Sequence, residues 1–262
     1  MGVQGVTRSV RHTAVLPCAA VEIRFIGSGD AFGHGGRLQA CISLRSNGFH
    51  ALLDFGQTSL LGLRREGIDP RDIDAVLVSH FHGDHDGGLP FLILDGQFTK
   101  RTRPLVIAGP PGIRERMREQ MEAAIPTLSR TVQRYPIEYL GLGVTPCVVG
   151  PLRVTATPAV HTPRSEPLAM RVEAGGAAVA YTGDSEWTPA LAQVARGADL
   201  LIAEAYSVDK AIPYHLSYRA LMSHRAELDA RRIVLTHLGP ETLARIDELE
   251  LDHADDGTTI EL

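Results

Sequence analysis

Between Ser79 and Gly87 the chain reads Ser-His-Phe-His-Gly-Asp-His-Asp-Gly, which puts His80, His82, Asp84 and His85 within six residues, straight after the apolar run Ala75-Val76-Leu77-Val78. With 11 His in 262 residues, an H-x-H-x-D-H order arises by chance in about one such chain in a thousand, so it calls for a chemical reason. Metal binding supplies one. Imidazoles two residues apart at a strand end point the same way and can grip one ion. The Asp and His that follow, on the turn into a helix, can reach a second ion a few ångströms away.

Two ions fed by one loop need further ligands, and the ends of other strands are the places to look. His161 ends the run 154–160, Asp184 ends 179–183 and His237 ends 233–236. A lone His at a strand end is more often packed or solvated than a ligand. Here each residue type that the loop requires follows a β-rich run, which reverses those odds.

The elements that must position these residues are short β-rich runs separated by Gly and Pro turns, with helices coming singly between them. Strands are expected at 21–26, 40–44, 51–54, 75–79, 105–108, 137–140, 144–149, 152–159, 169–172, 177–182, 200–203 and 233–235. Helices are expected at 58–66, 88–95, 111–124, 189–196, 217–230 and 241–248. Turn signals such as Gly141-Leu142-Gly143 and Gly175-Gly176 suggest that 137–182 forms an antiparallel sheet. The flanking thirds alternate strand and helix, which lays helices over the outer faces of two packed sheets. The charge-rich segment 114–122 reads as the exposed face of a helix whose Ile113, Met117 and Met121 pack inward.

Composition narrows the class. A hydrophobic share of 44% with 22% charged residues fits one compact domain over 21–262, with 1–20 a flexible N-terminal extension. The net charge of −5 disfavours a broad nucleic-acid surface, which needs clustered Lys and Arg. Cys18, Cys41 and Cys147 are odd in number and widely spaced, pointing to a reduced cytoplasmic chain rather than a disulfide framework. No stretch approaches the ~20 apolar residues that span a bilayer, so no membrane partner is expected.

Taken in order, the chemistry-bearing residues resemble the motif series of the metallo-β-lactamase superfamily: an early Asp (Asp54, in Leu52-Leu53-Asp54-Phe55-Gly56), then H-x-H-x-D-H, then His161, Asp184 and His237. The resemblance covers nearly all of 21–246 and implies an α/β (α+β) αββα sandwich, two packed β-sheets with helices outside and the metal site at one edge between the sheets. It implies that His80, His82 and His161 bind one divalent ion, that Asp84, His85 and His237 bind another, and that Asp184 bridges them. Asp54 would stand behind the ligands and orient their loop, as outer partners do. Zinc is the default metal for such nitrogen and carboxylate donors, which also suit manganese and iron. Two such ions, offset by Asp84, Asp184 and a bridging hydroxide, leave about +1 at the open face, which invites an anionic substrate.

Hydrolysis by attack of that metal-bridging hydroxide is the expected reaction. The antibiotic-hydrolysing zinc members carry Cys where this chain has Asp184, which argues against a lactamase. The segments 25–32, 77–92 and 200–205 are similar to the ribonuclease Z and small-phosphodiesterase branch. There, a His after the Glu motif assists the leaving group. His215 would hold that place, with Glu204 orienting it, so the expected catalytic groups are Asp84, His215 and Glu204. Only 22 residues separate His161 from Asp184, room for one hairpin rather than the long substrate arm of the tRNA-processing members. Leu238-Gly239-Pro240 also replaces their Ser-x-Arg-Tyr type segment. A small, even cyclic, phosphodiester is therefore favoured. The alternatives are a ribonuclease Z-like RNA endonuclease, a lactone or thioester hydrolase, and, in a different class, an iron-dependent oxidoreductase. The resemblance also suggests a homodimer. His34, in a Gly-rich loop, reads as a turn residue, and His12, His50, His224 and His253 as solvated.

Overall fold

A computed structural model describes residues 20–262. The expected N-terminal extension, with His12 and Cys18, lies almost wholly outside the described residues. The first sheet contains β1 (Glu22–Gly27), β2 (Cys41–Ser46), β3 (Phe49–Leu53), β4 (Ala75–Leu77), β5 (Leu105–Gly109) and β6 (Ile137–Gly141). The second contains β7 (Cys147–Val149), β8 (Leu152–Pro158), β9 (Leu168–Ala174), β10 (Ala177–Tyr181), β11 (Ala198–Glu204), β12 (Ala230–Thr236) and β13 (Asp252–His253). The chain then returns to pair β14 (Thr259–Glu261) with β1, giving two seven-stranded sheets ordered 14-1-2-3-4-5-6 and 13-12-11-10-9-8-7.

Helices α1 (Ser59–Arg65), α2 (Gly83–Asp86), α3 (Leu89–Phe98) and α4 (Ile113–Ala124) serve the first half of the chain. The second half carries α5 (Pro189–Ala195), α6 (Tyr218–Ser223) and α7 (Pro240–Ala244). No helix among the described residues is long and apolar enough to cross a membrane.

The central strands β4, β5, β10 and β11 are nearly continuous apolar runs because both of their faces are covered. In β4, Ala75 and Leu77 enter the core between the sheets, whereas Val76 packs under α3 and α4 with Ile93, Met117 and Met121. In β11, Leu200 and Ile202 face the other sheet while Leu201 and Ala203 meet Leu191, Val194 and Leu221 of the second helical layer. Alternation of side chains along a strand thus fills three apolar layers at once.

One expectation about the middle of the chain is corrected. Strand β6 does not join an antiparallel sheet over 137–182; it pairs parallel to β5, Leu105 opposite Ile137, after the α4 crossover. Only β7 to β10 are antiparallel in that region. The helix expected over 217–230 also stops at Ser223, because a 3-10 turn follows at Arg225–Glu227 and Ala230 is already paired with Ala198.

From β3 to β6 and from β10 to β13 the strands are parallel, so their C-terminal ends reach one edge of the sandwich. That edge is where α/β sheets collect functional loops.

Candidate metal centre

Every residue singled out for chemistry sits at that edge. Asp54 follows β3, the loop His80–His85 follows β4, His161 follows β8, Asp184 follows β10, Glu204 ends β11 and His237 follows β12. Two clusters form: His80, His82 and His161, then Asp84, His85, Asp184 and His237. Asp184 and His237 also belong to a third with Glu204 and His215.

The second cluster has the spacing of a coordination shell. His85 Nε2 lies 3.3 Å from Asp84 Oδ2, 3.4 Å from Asp184 Oδ1 and 3.4 Å from His237 Nε2. His237 Nε2 lies 3.3 Å from Asp84 Oδ2 and 3.4 Å from Asp184 Oδ2. Donors held about 2.0–2.1 Å from a tetrahedral ion stand roughly 3.3–3.4 Å apart, whereas hydrogen-bonded nitrogen and oxygen approach to about 2.9 Å. In the first cluster His82 Nδ1 and His161 Nε2 are 3.1 Å apart, and His80 Nε2 is buried with no hydrogen-bond partner. The donor set and the orphaned nitrogen both fit divalent metal.

Three of the remaining ring nitrogens are committed, whereas His237 Nδ1 is buried without a hydrogen-bond partner. His85 Nδ1 donates to Asp54 Oδ2 at 2.7 Å, His161 Nδ1 donates to the Tyr214 carbonyl at 2.6 Å, and His82 Nε2 bonds Thr162 Oγ1 at 2.8 Å. Each such bond fixes a tautomer and turns the opposite nitrogen toward the cluster. Asp54 is fully buried, and its carboxylate also accepts from Ser79 N, Ser79 Oγ and Tyr181 OH. Asp54, Tyr214 and His237 all adopt positive φ, of 60°, 71° and 55°. Such a conformation costs about 1–3 kcal/mol per residue, and here it turns the chain so that the clustered His and Asp side chains converge. At Gly56 a Cβ would come within 2.3 Å of the Asp84 carbonyl, so glycine lets the loop seat against the strand end.

Electrostatics follow from the crowding. Burial opposes charge on His85 and His237, but Asp184 and Asp84 prevail, raising His85 well above its ordinary value and His237 to about 9. Burial, aided by His85, drives His80 far down. Burial would lift Asp184, yet His237 and His85 hold it well below the usual carboxylate range. Two carboxylates and two imidazoles at this spacing require shared positive charge, which a divalent cation supplies as well as protons do.

His215 Nδ1 and Glu204 Oε1 are 2.5 Å apart, and the same nitrogen lies 4.0 Å from Asp184 Oδ2. Glu204 Oε2 accepts from Ser185 N and Leu216 N, and Tyr206 stacks on the His215 ring at 4.7 Å. Burial opposes protonation of His215, but the bond to Glu204 outweighs it and raises the pKa. Burial and Asp184 push Glu204 up as well.

Sequence reasoning missed a clamp. Arg116 on α4 donates to Asp86 Oδ2 at 2.8 Å and to the Phe81 carbonyl at 3.0 Å, and Gln120 reaches Asp86 Oδ1. The expected exposed face of that helix thus holds the His80–His85 loop from behind, a long-range contact that helical periodicity does not signal. His50, expected to be solvated, is buried against Ser43 Oγ at 2.8 Å. His34 sits in a turn, as expected, with Nδ1 2.6 Å from Asp30 Oδ2.

A family model described as "Beta-lactamase superfamily domain" matches residues 49–238. The chain is 27% identical to "Ribonuclease Z" of Methanothermobacter thermautotrophicus over 83% of its own length and 86% of the relative's. Among solved structures, human tRNase Z, short form, superposes with a TM-score of 0.74 at 23% identity, covering 91% of this chain and 98% of that one. A diphosphatase from the PhnP family gives 0.73 at 19% identity, covering 92% and 98%.

Proposed function

The chain belongs to the metallo-β-lactamase superfamily, in its ribonuclease Z-like branch, and is a metal-dependent hydrolase; on that premise we propose that it is a phosphodiesterase acting on a small phosphodiester. In this reading His80, His82 and His161 hold one divalent cation, Asp84, His85 and His237 a second, and Asp184 serves both. Zinc is the metal of choice for these donors. Bound there, divalent cations supply a water acidified toward neutrality and a positive field for charge developing on the phosphoryl oxygens. Asp54 fixes the loop that carries the ligands, through Ser79 and His85. His215, held through Nδ1 by Glu204, keeps Nε2 to protonate the departing oxygen, and the bond to Glu204 favours its protonated form.

The observation that carries this reading is the Glu204–His215 pair beside the Asp184 cluster: an oriented proton donor suits a poor alkoxide leaving group. A screen of cyclic and linear phosphodiesters, lactones and thioesters against zinc- and manganese-loaded protein tests it. Turnover confined to the phosphodiesters is expected, and turnover confined to thioesters or lactones would refute it.

RNA cleavage is the second reading, favoured by the relatives named ribonuclease Z. Against it, a single β9–β10 hairpin occupies the stretch between His161 and Asp184, and the net charge is −5. A tRNA precursor with a 3′ trailer belongs in the same screen, and efficient cleavage of it alone would establish the second reading.

A further inference from the structure

A recess of about 360 Å³ opens beside His215, walled by Trp187, Ile212, Pro213 and Ala220. Among the described residues its ionisable side chains are His215 and Glu186, and no Lys or Arg lines it. The walls are held in place. Trp187 lies flat on His224, with ring centroids 4.1 Å apart and planes 9° from parallel. The loop behind Ile212 and Pro213 is pinned at Tyr214, whose N–H donates to Glu186 Oε1 at 2.6 Å and whose carbonyl receives His161 Nδ1.

Resting on the phosphodiesterase reading, we propose that this recess takes the leaving group, and that the leaving group is an uncharged nucleoside-like alcohol rather than a further length of phosphate-bearing chain. Hydrolysis forms a bond from water oxygen to phosphorus, breaks the phosphorus–oxygen ester bond and delivers the His215 proton to the departing oxygen. Whatever is attached to that oxygen must therefore lie against His215, in the recess that His215 walls. Apolar walls and an indole suit a flat base, and the volume is that of a small-ligand pocket. Glu186 Oε1 is taken by the Tyr214 N–H, which leaves Oε2 for an N–H donor of the base. A phosphate there would meet that carboxylate, and once the His215 proton has passed to the departing oxygen no Lys or Arg among the described residues lines the recess to offset it.

The test uses the metal-loaded full chain and two nucleoside 5′-methylphosphate diesters, one with a free 3′-hydroxyl and one with a 3′-phosphate. The proposal expects kcat/KM for release of the uncharged nucleoside to exceed that for its 3′-phosphate by about tenfold. Glu186→Gln keeps the acceptor for Tyr214 and should narrow the ratio to within about threefold. Raising ionic strength should narrow it in the wild-type protein too, which keeps the proposal testable should the variant fold poorly. A wild-type ratio near one, or a preference for the phosphorylated nucleoside, overturns the proposal while bis(p-nitrophenyl) phosphate is still hydrolysed. Inertness toward every phosphodiester would instead refute the phosphodiesterase reading itself.

Discussion

His85, His82, His161 and His215 at the edge of the sandwich each have one nitrogen tied down, and the partner differs in chemistry. His215 is tied by a buried carboxylate, so it can hold a proton, whereas His161 is tied by a carbonyl and offers a lone pair. His215→Ala should lower kcat by about 10²–10⁴ toward an alkyl phosphodiester, and less for a p-nitrophenyl ester that departs without a proton. Metal content measured by mass spectrometry should be unchanged. Asp54→Asn tolerates the positive φ of 60° but removes the charge that His85 and Tyr181 share. Chelator competition should register about 10–100-fold weaker metal binding. The sequence made these residues legible because strand ends are marked by short apolar runs, and His80, Asp184 and His237 each follow one. It did not mark His50, whose neighbours Phe49 and Ala51 belong to a strand covered on both faces, so that an inward or outward side chain reads alike.

Among the elements, α4 and β3 do work that periodicity hides. Arg116 and Gln120 leave the polar face of α4 to hold buried Asp86, and thereby the loop that precedes α3. Arg116→Met should cost about 2 kcal/mol in urea unfolding, because Asp86 stays buried with one partner fewer, and Asp86→Asn in the same chain should recover part of it. In β3, burial drives the His50 pKa from 6.5 down to about 3, with Arg45 and Arg103 adding to the effect. The unfolded chain takes up that proton first, so the stability of β3 is whole above pH 6.5 and is lost as pH falls toward 3. At pH 4.5 the loss should be about 2–3 kcal/mol, and His50→Gln should remove this part of the pH dependence of the unfolding midpoint. The missed strands β13 and β14 are two and three residues long, too short for an alternating pattern to register.

At the scale of the molecule, two sheets of parallel and antiparallel strands bring chain segments more than 180 residues apart to one edge, from Asp54 to His237. The αββα arrangement was readable because strand and helix alternate in the outer thirds. The pairing of β6 with β5 was not, since a parallel crossover through α4 leaves the same local turn signals as a hairpin does. What the architecture concentrates is a set of donors that could hold divalent metal, with the Glu204–His215 pair beside it. The most direct measurement is hydrolysis of bis(p-nitrophenyl) phosphate by metal-loaded protein, by the same protein after chelation, and by Asp184→Ala. Turnover that disappears on chelation, returns with zinc or manganese and falls at least about 10³-fold in Asp184→Ala is the result predicted. No turnover by the loaded wild-type chain, or undiminished turnover in Asp184→Ala, would contradict it.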